Sequence, residues 1–112
     1  MGNQTRYCFA LDLKEDPEVI ERYIAHHRAV PADIIKSITD AGIEVMDIYL
    51  TGNRLFMIME VGEGFSFDRK AKMDRENPAV QAWESLMGTL QQSLPWAKPG
   101  EKWVLMDKIF HL

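Results

Sequence analysis

The order of extended and helical stretches, β-α-β-β-α-β, predicts an α+β domain of the split-βαβ, ferredoxin-like pattern with one antiparallel sheet. Three observations carry that expectation. Large apolar residues alternate at odd positions over residues 7–13, the period of a half-buried strand. A hairpin signature, Thr51-Gly52-Asn53, separates two stretches rich in strand formers. Two helix openings, Asp16-Pro17 and Asn77-Pro78, place a capping side chain before a proline at the first helical position.

Taken in order, the first strand covers residues 7–13 and the first helix runs from Pro17 to about Arg28. Pro31 disfavours helical geometry at Val30, so a second helix starts afresh near Pro31 and stops at Gly42. Residues 43–50 and 54–61 form the hairpin, and Gly62-Glu63-Gly64 ends it. Residues 68–73 suit a short helix. The next helix shows Val80, Trp83, Leu86, Met87 and Leu90 on one face and ends by Leu94-Pro95. After Pro99-Gly100, residues 102–110 are expected as a final strand.

With 112 residues, 46% hydrophobic and 27% charged, the chain has the size and core of one domain, residues 1–112. Thirteen Lys+Arg against seventeen Asp+Glu leave a net charge of −4, which argues against a phosphate-backbone partner such as nucleic acid. No apolar run approaches the ~20 residues that span a bilayer, so no membrane partner is expected. The polar opening of residues 1–6 does not fit a signal peptide, and Cys8, the single cysteine, fits a reducing cytoplasm.

Four antiparallel strands with helices on one face leave the other face bare. It is expected to carry residues such as Met46, Ile48, Phe56, Ile58, Val104 and Met106, and a second copy of the chain is its simplest cover. A homodimer follows.

The first helix holds the sharpest chemical signal. Val19, Ile20, Tyr23 and Ile24 form its apolar stripe, and His27 falls near the centre of that stripe, one turn beyond Tyr23. An imidazole aimed at the sheet is suited to proton transfer near neutral pH. A hydrogen-bonded structural histidine is the competing reading. Asp33 and Glu84 are carboxylates near expected apolar surface, and Tyr49 and Trp83 could form a wall on which a sugar stacks. His26, His27 and His111 lack a metal-ligand spacing, and no phosphate-cradling loop is present, so neither metal nor cofactor is expected.

Over nearly its whole length the sequence resembles the L-rhamnose mutarotase family. Glu21-Arg22-Tyr23-Ile24-Ala25-His26-His27 is similar to that family's catalytic helix, and Ile48-Tyr49-Leu50 to its hairpin. Val80-Gln81-Ala82-Trp83 resembles its tryptophan helix, and Ile109-Phe110-His111-Leu112 its last strand. The resemblance implies a dimeric α/β barrel and a cofactor-free isomerase acting on a monosaccharide. It implies His27 and Tyr23 as the catalytic pair, with His27 as proton donor to the ring oxygen, Tyr23 orienting the sugar or completing the proton relay, and Trp83 as a stacking wall. Three positions depart from the family. Val30-Pro31-Ala32-Asp33 stands for a Trp-Pro-Glu run, Met46 for a sugar-contacting tyrosine, and Trp83-Glu84 for paired tryptophans, leaving Glu84 to bond hydroxyls. The acid/base helix is kept while the pocket walls change, so L-fucose stands beside L-rhamnose as the implied sugar. A non-catalytic sugar-binding dimer and a cofactor-free monooxygenase on the same scaffold are the alternatives, and the Tyr23/His27 pair favours the isomerase over the monooxygenase.

Overall fold

A computed structural model describes residues 5–112. The polar opening at residues 1–4 lies outside the described residues. The elements are β1 (Thr5–Leu13), α1 (Pro17–Arg28), α2 (Ala32–Asp40), β2 (Ile43–Thr51), β3 (Arg54–Val61), α3 (Phe67–Arg75), α4 (Pro78–Gly88), β4 (Gln91–Gln92) and β5 (Val104–Leu105). The sheet is antiparallel, in the order β2-β3-β1-β4, with β5 also pairing β1. The ferredoxin-like α+β class is borne out.

Local chemistry fixes the ends of these elements. Asp16 accepts from the Glu18 amide at 2.9 Å, and Asn77 accepts from the Ala79 amide at 3.0 Å, so both helix openings are capped as the sequence predicts. Gly52 turns the hairpin at φ 57°, the left-handed geometry that a two-residue loop asks of its first central residue. The hairpin is tied to β1 at its tip. Asn53 and Leu13 exchange two hydrogen bonds, at 2.7 and 2.9 Å. Beside them Arg54 donates a two-pronged bond to the buried Asp12 carboxylate, at 2.8 and 3.1 Å, under the ring of Trp96.

Cross-strand partners share a face, and the observed register sorts the residues. Leu11 with Leu55, Phe9 with Met57, and Tyr7 with Met59 face the helices. Met46 and Ile48, opposite Met59 and Met57, lie on that covered face too. This corrects their expected place on the bare face. The cause is the two-residue turn, whose register runs unbroken from Thr51–Arg54 to Met46–Met59, and the bulge between Ile43 and Val45 then keeps Ile43, opposite Val61, on the same face. The bare face carries Cys8, Ala10, Phe56, Ile58 and Val104 at its centre, framed by the Arg6–Glu60 and Asp12–Arg54 ion pairs.

The last strand is shorter than expected. Only Val104–Leu105 pairs, and past the bond from the Met106 amide to the Cys8 carbonyl the chain finds no ladder within its own protomer. Ile109, Phe110 and Leu112 are exposed. A strand needs a neighbour as well as a propensity, and no other strand of the chain lies alongside these residues. Helix α4 ends at Gly88, before Leu90, and the unforeseen Gln91–Gln92 pairs with Leu13 and Asp12.

Candidate active site

Helix α1 lays its apolar stripe across one end of the covered sheet face. Val19 and Tyr23 are buried there with Leu13, Leu55, Met87 and Leu90, and Trp83 of α4 packs against them. One turn beyond Tyr23, His27 reaches the rim of that core. Its ring stacks on Tyr23 with centroids 4.2 Å apart and an interplanar angle of 26°. Trp83 meets it edge-on at 5.4 Å, and also meets His26 at 6.4 Å. The imidazole therefore packs against two aromatic rings.

Its protonation follows from this packing. Nδ1 lies 2.8 Å from the Tyr23 carbonyl oxygen, and a carbonyl can only accept, so Nδ1 carries a proton. Burial lowers the pKa of His27 below the ordinary imidazole value. The bond to the Tyr23 carbonyl opposes that shift in part, and His26 adds to it. At neutral pH the ring is uncharged, with Nε2 bearing the free lone pair. Tyr23 behaves differently. Burial pushes its phenol up to about 12, partly opposed by a hydrogen bond with Gln91, so it keeps its proton.

A cleft of about 260 Å³ opens at this point. Ile24, Ile48, Leu50 and Leu55 give it an apolar lining, and Tyr23, His27 and Arg28 are its polar groups. Its size is just below the usual lower bound for small-molecule pockets. A second groove of similar volume lies between α2 and α4, where Asp33 meets Trp83, Pro31 and Leu86. Trp83 lines this second groove, and its ring reaches the first site only through the edge-on contact with His27.

The sequence-predicted site residues divide accordingly. Tyr23, His27 and Trp83 come together. Asp33 is exposed in the second groove, away from the His27 cleft. Glu84 is exposed beside Trp83 and lines neither hollow. Met46 packs at the other end of the sheet, against the cluster of Ile43, Met59 and Val61. Tyr49, 57% exposed, stands on the opposite face against Phe56. Two residues of the site escaped the sequence reading. Gln91 reaches the Tyr23 hydroxyl from a strand with no sequence signal, and Arg28 carried a legible but unused one, following His27 directly on the helix. Among the described residues no group of three or more His, Cys, Asp or Glu side chains could hold a metal ion.

A neutral imidazole with one nitrogen tied down and one free, in an apolar cleft on an α+β scaffold, can take up a proton and return it near neutral pH. The chain belongs to the L-rhamnose mutarotase family, whose model matches residues 6–112. It is 41% identical over 109 residues to the L-fucose mutarotase of Xanthomonas campestris pv. campestris, covering 96% of this chain and 87% of that one. It is 35% identical over 112 residues to a UPF0734 protein of Dictyostelium discoideum, covering 95% and 88%. Among solved structures it is similar to the L-rhamnose mutarotase of Formosa agariphila, with a TM-score of 0.70, 19% identity and coverage of 96% and 98%. The tetracenomycin F2 cyclase of Streptomyces glaucescens aligns with a TM-score of 0.58 at 12% identity, covering 96% and 95%. At such identities these two structures speak for the fold alone.

Proposed function

We propose that the chain is a mutarotase that interconverts the α and β anomers of a 6-deoxy L-sugar, L-fucose ahead of L-rhamnose, with His27 as the proton carrier and no metal or cofactor. The observation that carries this reading is the state of His27: uncharged at neutral pH, oriented through Nδ1 and free at Nε2. Nε2 takes the proton of the anomeric hydroxyl as the bond from C1 to the ring oxygen breaks. The imidazolium so formed returns a proton to the ring oxygen, which leaves the open aldehyde. After rotation about C1–C2 the steps reverse on the other face, and protons balance over the cycle. His27 thus acts as base before it acts as donor. Tyr23, which keeps its proton, holds the ring of His27 in place, and Trp83 offers a wall for the apolar face of the sugar. The L-fucose preference is supported by the 41% identical relative, an L-fucose mutarotase. Saturation transfer between the anomeric protons of several 6-deoxy sugars tests it. No acceleration for any of them would end the reading.

The same proposal includes a homodimer closed through the bare sheet face. Its apolar centre rimmed by paired opposite charges is self-complementary under a two-fold axis. The exposed Ile109 and Phe110 gain cover if a second copy is present. Light scattering should give twice the chain mass, and Ile58→Asp should halve it. A wild-type monomer at micromolar concentration would refute the dimer. The lone free thiol of Cys8 supports a cytoplasmic setting, and among the described residues no helix is long and apolar enough to cross a membrane.

A further inference from the structure

We propose that Arg28 binds the sugar in the His27 cleft, its guanidinium forking onto two adjacent ring hydroxyls. The identity of the ligand as a neutral sugar rests on the mutarotase reading above.

Of the three polar side chains that line the cleft, two have settled tasks. Tyr23 is buried and stacked on the His27 ring, and His27 spends Nδ1 on the Tyr23 carbonyl, keeping Nε2 for the anomeric centre. Arg28 is the third. Its ion pair is with Glu21 at 3.8 Å, beyond hydrogen-bond length, and both side chains are about two-thirds exposed (68% and 67%). Its donors are therefore available.

A pyranose presents several hydroxyls, and the remaining cleft lining is aliphatic. Hydroxyls carried into such a lining without partners lose their water bonds uncompensated. A planar guanidinium offers parallel N–H donors at the spacing of two neighbouring oxygens, which a lysine ammonium does not. Arg28 lies about 100° round α1 from His27, and both side chains still line the same cleft. Arg28 is thus a binding and specificity residue, distinct from the proton carrier beside it.

The test compares wild type with Arg28→Met, which keeps the aliphatic stem, and Arg28→Lys, which keeps the charge. Anomer exchange is followed by saturation transfer with L-fucose and L-rhamnose, and binding by calorimetry, with melting curves to verify folding. For the better sugar, Arg28→Met should raise KM and Kd about tenfold or more, as loss of a charge-assisted bond predicts, and leave kcat within about threefold. Arg28→Lys should recover only part of the loss. Deoxy analogues lacking one ring hydroxyl should bind the wild type more weakly than the parent sugar. For one of them that penalty should shrink in Arg28→Met. Unchanged KM and Kd in Arg28→Met, or a fall in kcat alone, would overturn the assignment while leaving wild-type exchange and the mutarotase reading intact. A wild type that binds the sugar without exchanging its anomers would remove the mutarotase reading, and a tenfold loss of binding in Arg28→Met would still uphold Arg28. A wild type that neither binds nor exchanges these sugars would remove both.

Discussion

The covered face of the sheet supports two clusters that solve different problems. Toward α2 and α3, the side chains of Ala41, Ile43, Met59 and Val61 are buried and ringed by Tyr7, Phe9 and Phe65. Phe67 closes that end, with its ring 4.8 Å from Tyr7 and 5.1 Å from Phe65, both edge-on. Toward α1 and α4, aliphatic residues surround Tyr23, and aromatic stacking continues outward to His27 and the cleft. Edge-on aromatics seal the first cluster, whereas stacked aromatics in the second carry a titratable ring to the boundary with water. The lesson is one of placement. A single imidazole becomes chemically useful where packing removes enough water to hold it neutral and leaves one nitrogen open.

Substitutions can break this contrast from either side, and the largest effect belongs to His27. His27→Ala should slow anomer exchange about 10²–10⁴-fold per folded molecule, while His26→Ala, one position round the helix, should cost severalfold at most. Equal rates in His27→Ala and wild type would reduce His27 to a packing residue.

The sealed cluster should answer in stability alone. Met59→Ala removes a buried side chain and should destabilise the fold by about 2–3 kcal/mol, seen as a lower midpoint in urea. Exchange per folded molecule should be unchanged. A parallel fall in exchange would mean that the two clusters are coupled.

Trp83→Ala should have a smaller effect, raising KM severalfold as the aromatic surface beside His27 is lost, with Trp83→Phe in between. An unchanged KM in steady-state exchange would remove the stacking role.

The smallest effect is on pH. His27 has a folded-state pKa below its unfolded value of about 6.5, so the base form persists into mildly acidic solution. Exchange should be flat through neutral pH and fall only as pH drops through the lowered value. The unfolded chain binds this proton at higher pH than the folded one, so this contribution to stability is present above about 6.5 and is lost as pH falls through the folded pKa. His27→Gln should remove both dependences. An acid limb above the ordinary imidazole value would contradict the burial of His27.

Much of this was legible locally. The Asp16-Pro17 and Asn77-Pro78 caps, the Gly52 turn and the odd-position alternation of β1 each depend on near neighbours, and each of these features appears where the sequence placed it. The 3.6-residue stripe of α1 likewise carried His27 to the core rim. What stayed hidden depends on distant partners. The register of β2 on β3 sets the facing of Met46 and Ile48, and the bulge at Glu44 that keeps Ile43 on the same face exists only through that pairing. Gln91–Gln92 has no strand propensity to speak of and pairs because Leu13 and Asp12 are alongside. The spread of Asp33, Glu84, Met46 and Tyr49 over four different surroundings is set by helix packing and register, which spacing in a sequence does not encode.

The hairpin tip clipped to β1 governs the order of folding. β2 and β3 meet through a two-residue turn, whereas Arg54 must find Asp12 across 42 positions. Short loops close quickly and long ones wait, so the hairpin should form early and β1 with α1 should dock onto it late. The floor of the cleft, Ile48 and Leu55, belongs to the early piece, and Tyr23 and His27 belong to the late one. Refolding should therefore restore the amide protection of the hairpin first, and recover anomer exchange only in the final kinetic phase.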